Sequence, residues 1–157
     1  MVENVIVLES QHEAIEEQLF WPAVRKALAD GDHLADQAVA QEKRGKKLLQ
    51  GLNDGEPGER NFQEALAKFI KAAREHIAYE EEMVWPRFAA VADPAELDKV
   101  GSELEAAKKI APTRPHPDTP SNAAVQKTLG AAAAMVDHAG DALSGRSADV
   151  PPDPPRP

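Results

Sequence analysis

The chain of 157 residues contains no cysteine. That excludes a disulfide scaffold, thiolate-held zinc or iron–sulfur clusters, and thiol catalysis. No apolar run approaches the roughly 20 residues of a membrane-spanning helix. The opening residues Met1-Val2-Glu3-Asn4 carry neither the basic region nor the apolar stretch of a secretory leader, so the expected location is the cytoplasm. Basic residues are the minority, 18 Lys and Arg against 27 Asp and Glu, for a net charge of −9. This balance argues against nucleic acid as the partner and is compatible with binding cations. Phosphate-cradling glycine loops and a nucleophile elbow are missing. Strand signals are weak, with few β-branched runs and no hairpin dipeptides between alternating segments. Proline is scarce early: of 13 prolines, nine lie at or beyond Pro112.

What remains is strong helical periodicity, which predicts an all-α, antiparallel up-down bundle of three core helices plus C-terminal helices. The first helix is expected over 3–29, ending at Asp30-Gly31-Asp32, and the second over 33–52, ending at Asn53-Asp54-Gly55. The third starts after Asn61 as N-cap and runs to about 91. The fourth starts at Asp93-Pro94, a capping residue followed by proline in the first turn, and runs to about 109. Residues 1–110 form the bundle in this reading. Residues 111–121 (APTRPHPDTPS) read as an extended proline-rich linker, 122–143 as an alanine-rich C-terminal helix, and 144–157 as a disordered proline-rich tail.

The main feature is an internal repeat. His12-Glu-Ala-Ile-Glu-Glu-Gln-Leu-Phe-Trp-Pro22 aligns without gaps on His76-Ile-Ala-Tyr-Glu-Glu-Glu-Met-Val-Trp-Pro86, in the shared frame H-x-A-x-E-E-x-x-x-W-P. Both tryptophans of the chain fall in it. The offset is one helical hairpin, so a supersecondary unit is repeated. Pro22 and Pro86 each remove a backbone donor and are expected to kink or break their helices.

His and Glu at i, i+4 share one helix face. In the third helix the apolar stripe runs Phe62, Leu66, Phe69, Ala73, then His76, Glu80, Val84. In the first it runs Val5, Leu8, then His12, Glu16, Leu19. In the second, Glu42 interrupts Leu34, Ala38, Gly45, Leu49, Leu52. Burying three carboxylates without compensation costs several kcal/mol each. Either one or two divalent cations answer that cost, or the groups share protons in a neutral network. Geometry favours the metal. With alternating helix directions, His12 and His76 lie within about 3 Å of one height, and Glu16 and Glu42 within about 6 Å. His12, Glu16, Glu42, His76 and Glu80 are therefore the candidate metal ligands.

The doubled motif resembles the hemerythrin-like, or HHE cation-binding, family: a His, a Glu four residues on, then an apolar residue and proline, on two helices. Here these are His12/Glu16 with Phe20-Trp21-Pro22, and His76/Glu80 with Val84-Trp85-Pro86. The resemblance covers roughly residues 1–92. It extends to Ala111-Pro-Thr-Arg-Pro-His-Pro117, similar to the tail of some actinobacterial members. It implies a four-helix bundle with a non-haem di-iron site. Members of the family bind oxygen, respond to iron or oxygen, or handle nitric oxide or peroxide. The intervening helix of the family supplies a His; here Gln41-Glu42-Lys43 stands in its place, with Glu42 as the replacement.

The family's motif helices follow another helix carrying a ligand His, whereas this chain opens at what looks like the second. The missing wall is expected from residues upstream of Met1, from a second copy covering the open face, or from the last helix with Asp137-His138. The last option ranks below the others, because His138 lies beside the Val125, Leu129, Ala132, Val136, Ala139 stripe and not on it.

Blander roles are assigned elsewhere. Glu13, Glu17, Glu81 and Glu82 are expected to be solvated or to orient ligands, with Glu13, Glu17 and Glu81 as second-choice ligands. Lys43-Arg44-Gly45-Lys46-Lys47 reads as a solvated face. His33 sits at a helix start, and His116 and His138 are expected at the surface. Trp21 and Trp85 plug the bundle end, and Tyr79, one residue before Glu80, either donates a hydrogen bond to the site or only packs. The first reading is an iron-binding bundle for a small diatomic or peroxide, with zinc or manganese as other metals. It points to a binding protein ahead of an enzyme. The other reading is a metal-free helical interaction module.

Overall fold

The computed structural model describes residues 2–120 and 126–145. Among these the regular elements are helical, and none is long and apolar enough to cross a membrane. The first rod consists of α1 (Val2–Ile15), a π-helical turn (Glu16–Phe20) and α2 (Trp21–Ala27). After a tight turn comes α3 (Gly31–Asp54). The third rod consists of α4 (Arg60–Tyr79), a π-helical turn (Glu80–Val84) and α5 (Trp85–Val91). Then follow α6 (Pro94–Lys108), a π-helical turn (Gln126–Gly130) and α7 (Ala131–Ser144).

The prolines of the repeat do not break their rods. A proline ring in a regular helix collides with the carbonyl four residues back. Here the preceding turn is widened by one residue: Trp21 N–H donates to Glu16 O, and Trp85 N–H to Glu80 O. The wider turn makes room for the ring and lets the helix continue. Each widened turn begins at a glutamate of the repeat.

Helix α4 starts one residue before Asn61, and neither Asn61 nor Glu59 caps it through a side chain. Asp93 does cap α6, accepting from Ala95 N–H at 2.8 Å. The turn into α3 is tight because Gly31 has no Cβ; one built there would lie 2.3 Å from Val24 O.

Helix α3 lies between α1 and α4, and α6 returns beside α1 and the first π turn. The core is apolar at both ends. At one end Phe20, Trp21, Val24, Leu28, Leu34, Ala35, Ala38, Val84 and Phe88 pack together. Trp85 stacks on Phe20 at 4.5 Å, yet it is 39% exposed, so it caps this cluster from outside while Trp21 plugs it. At the other end Ile6, Leu49, Leu52, Phe62 and Phe69 pack together. Between the two ends runs a charged waist of Glu13, Glu16, Glu17, Glu42, Lys46, His76 and Glu80, all buried.

The proline-rich segment has no regular helix, but it is packed rather than solvated. Ala111, Pro112, Thr113 and Pro115 are buried. Asp137 of α7 accepts from Thr113 N–H at 3.1 Å, from Arg114 N–H at 3.0 Å, and pairs with His116 Nε2 at 3.0 Å. Arg114 also pairs with Asp141 at 2.6 Å. His116 is thus half-buried, not free at the surface, and His138 is exposed as expected. The expected tail beyond residue 145, and residues 121–125, lie outside the described residues.

Candidate metal centre

The five residues singled out by the repeat and by α3 meet in the waist. His12 Nε2 lies 3.3 Å from Glu16 Oε1. His76 Nε2 lies 3.7 Å from Glu16 Oε2, 3.9 Å from Glu42 Oε1 and 3.7 Å from Glu80 Oε1. Two three-residue constellations result, each with ligand atoms within 4.8 Å of one another: His12, Glu16, Glu80 and Glu16, Glu42, His76. Glu16 belongs to both. Each repeat contributes its His and Glu from one face of one rod, and α3 inserts Glu42 between the rods.

His76 carries the clearest sign of a ligand role. Its Nδ1 donates to Gln41 Oε1 at 3.0 Å. That tautomer leaves the lone pair on Nε2, facing the carboxylates, and Nε2 is buried without a hydrogen-bond partner. Glu16 Oε2, Glu42 Oε2 and Glu80 Oε1 are buried and unsatisfied in the same way. Leaving so many acceptors unpaired is costly, and a divalent cation satisfies all of them at once. The donor set of imidazole nitrogen and carboxylate oxygen suits iron, manganese or zinc. The residues present therefore fit a metal.

Electrostatics agree. Burial pushes the Glu16 carboxyl up to about 8, against the pull of its hydrogen bond with Glu80. Burial and the Glu16 charge push Glu80 up to about 8. Burial, then the charges of Glu16 and Glu17, hold Glu42 well above the usual carboxylate range. Burial and the neighbouring charges of His76 and Lys108 hold His12 below its ordinary value, so its ring is neutral. Burial lowers His76 as well, against Glu80. Without a cation the carboxyls keep protons; with one they give them up.

The two faces of the centre differ. On the deep side Trp21 Nε1–H donates to Glu42 Oε1, and the indole closes the site. On the outer side the His12 side chain is 40% exposed. A cavity of about 10 Å³, room for about one water, is bordered there by Glu9, His12, Gln41, Phe69, His76 and Ile77.

Several surrounding residues stand elsewhere than expected. Glu13 and Glu17 are buried, which removes only the solvated alternative for them, while Glu81 and Glu82 are exposed. Lys46, read as part of a solvated basic face, is buried and pairs with Glu17 Oε2 at 2.8 Å. Gly45 faces Glu13, and a Cβ there would lie 2.7 Å from Glu13 Oε1, so the carboxylate would have to shift. The cause is that α1 is covered on two sides, by α3 and by α6 with the proline-rich strap, so it buries more than one stripe. Of the two roles open to Tyr79 the structure shows packing: Tyr79 Oη donates to Leu34 O at 3.0 Å and ties α4 to α3. Asp137 is spent on the strap, and His138 brings nothing to the centre. Gln41, the partner of His76 Nδ1, is the residue of the waist that periodicity could not find; its position one residue before Glu42 was the only signal.

The family model of the hemerythrin HHE cation binding domain matches residues 3–88. An uncharacterized hemerythrin-like protein of Schizosaccharomyces pombe is 26% identical over 143 residues, spanning 90% of this chain and 70% of that protein. No solved structure matches significantly.

Proposed function

The chain belongs to the hemerythrin HHE cation-binding family, and from that premise we propose that its waist holds a pair of iron ions and binds, or reacts with, a small diatomic molecule or peroxide. His12, Glu16, Glu42, His76 and Glu80 are the ligands in this reading. The observation that carries it is the sharing of Glu16 between two ligand constellations, the placement a bridging carboxylate needs. Bound iron would supply redox chemistry and an exchangeable coordination position.

The chain's own residues do the rest. Gln41 fixes the His76 tautomer, as a partner on the far ring nitrogen does for metal-bound histidines. Trp21 excludes water from the deep side and hydrogen-bonds Glu42. The half-exposed edge at His12 is the side from which a small ligand reaches the waist.

The test is metal content with an absorption spectrum, on protein produced with iron, as wild type and as His12→Ala/His76→Ala. Near two irons per chain, with near-ultraviolet oxo-iron bands lost in the double variant, is the expected result. Substoichiometric metal that the double substitution leaves unchanged overturns it. The hydrogen bond between Glu16 and Glu80 favours a second reading, a proton-shared, metal-free core in a helical interaction module. That reading requires that added iron leave thermal stability unchanged.

A further inference from the structure

The repeat gives its two tryptophans equivalent positions, but the structure sends them to opposite ends of one row of rings. Trp21 is buried at the metal centre. Its indole N–H donates to Glu42, and its ring lies 6.5 Å from the His76 ring, centre to centre. Trp85 reaches the surface and is 39% exposed. Phe20 stands between them, 4.8 Å from Trp21, and stacks on Trp85 at 4.5 Å with the planes 20° apart. Phe20 is fully buried, and Phe88 packs edge-on against it at 5.7 Å. The second repeat has Val84 where the first has Phe20, so a single ring joins the two indoles. Packing alone does not account for this row. A plug is buried, whereas the Trp85 ring stands partly in water and still keeps its stack.

We infer that this row is an electron path between the metal centre and the surface, with Trp85 as its outer end. The path rests on the iron site proposed above and assigns that site hydrogen peroxide as its oxidant. Electron transfer falls off steeply with distance, and aromatic rings in contact carry it better than saturated side chains. Cleaving the O–O bond of peroxide to two waters takes two electrons and two protons. One electron comes from a ferrous iron, which becomes ferric. The row supplies the other. Trp21, beside His76 and hydrogen-bonded to Glu42, gives it up and recovers it from Trp85 across Phe20. Phenylalanine is not itself oxidised and serves as the contact. Trp21 is 1% exposed and shut off from solvent, so oxidation does not settle there, whereas Trp85 releases its indole proton to water. Solvent supplies the two protons that the product waters need. The Trp85 radical then takes a hydrogen atom from a thiol in solution, and two thiyl radicals pair as a disulfide. The thiol comes from outside because the chain has no cysteine. The oxidising equivalent thus leaves the waist instead of attacking His12 or His76.

The experiment adds hydrogen peroxide to the full chain loaded with ferrous iron, without thiol. One portion is frozen for electron paramagnetic resonance, and another is digested for mass spectrometry. Wild type should show a tryptophan radical, identified by the change in its signal on indole deuteration, and an oxygen adduct on Trp85. Metal-free wild type should show neither. Added glutathione should suppress the adduct and turn up as its disulfide. Trp21→Phe leaves Trp85 at the surface but removes the inner indole, and should lose the Trp85 adduct while iron content is retained. Phe20→Leu touches no candidate ligand and removes only the bridging ring; the same loss is expected. Three results would each overturn the path while leaving the iron site standing. These are loaded wild type without a radical, an equal adduct in metal-free protein, and an adduct that survives either substitution at wild-type iron content. The last would mean that Trp85 is oxidised directly from solution. A wild type that takes up no iron overturns the site and the path together, and iron content tells the two failures apart.

Discussion

Replacing Glu16 by Gln should change the stability of the metal-free and metal-loaded proteins in opposite directions. Glu16 is buried, and its carboxyl is raised to about 8 from 4.5. The folded metal-free protein therefore keeps a proton that the unfolded chain releases above about pH 4.5. Folding takes up protons in this window, so the contribution is full below pH 4.5 and is lost as pH rises to about 8. A single carboxyl with this shift corresponds to roughly 5 kcal/mol. Because Glu16 and Glu80 share a hydrogen bond, about 2–5 kcal/mol is the range to expect for Glu16. At 2–4 °C per kcal/mol for a chain this long, the Glu16 share of the Tm that metal-free wild type loses between pH 5 and pH 8 is on the order of 10 °C. Glu16→Gln has no proton to lose at that position, so its metal-free Tm should fall less steeply over that range, the remaining slope coming from the raised carboxyls of Glu80, Glu42 and Glu13, and should exceed wild type at pH 8. With metal the order reverses: wild type gains stability from the bound ion, the variant lacks the shared ligand, and the gap widens with pH as the competing protons leave. Scanning calorimetry of both proteins at pH 5, 6.5 and 8, with and without iron, measures all of this. A variant less stable than wild type at pH 8 in both states would refute the reasoning and reduce Glu16 to a packing residue.

Three other perturbations address neighbouring parts of the site and fold. Gln41→Leu keeps the side chain's bulk but removes the acceptor of His76 Nδ1, and should weaken metal binding about 10–100-fold in a competition titration with little change in helix content. Lys46→Met removes the cation paired with Glu17 beside the buried acids Glu13, Glu16 and Glu42 and should cost about 3–5 kcal/mol in urea unfolding; a loss under 1 kcal/mol would show that the pair contributes no net stability. Asp137→Ala leaves two strap N–H groups without their acceptor and should cost roughly 3 kcal/mol. Burial alone would raise Asp137, but the His116 hydrogen bond and charge, with Arg114, hold it below its ordinary value. Its contribution is therefore present above about pH 4 and lost as pH falls through the folded value, and acid unfolding of the Ala variant should lack that component.

Much of the architecture was legible in the residues alone, for identifiable reasons. The rods over 2–27, 31–54 and 60–91 follow from long helical periodicity punctuated by Asp-Gly and Asn-Asp-Gly breaks, and Asp93-Pro94 announces α6 by capping chemistry. The meeting of His12, Glu16, Glu42, His76 and Glu80 was readable because an i, i+4 pair stays on one face whatever packs against it, and because equal offsets from short turns place residues at equal heights. Pro22 and Pro86 misled, since a single widened turn absorbs the ring without ending the helix. Lys46 misled because charge suggests solvent, while its pairing with Glu17 is a fact of two different helices.

Local pattern thus determined the helices, the repeat and the identity of the clustered His and Glu side chains, which depend on neighbours within a few turns. Tertiary packing alone decided the rest. It covered α1 on two sides and so buried Glu13 and Glu17. It aimed Gln41 at His76, and it folded the proline-rich strap onto Asp137. It also left the larger apolar residues of α7 facing outward, because the strap satisfied that helix through its acids. Each of these depends on which distant surface arrives, and periodicity along a single helix carries no record of that.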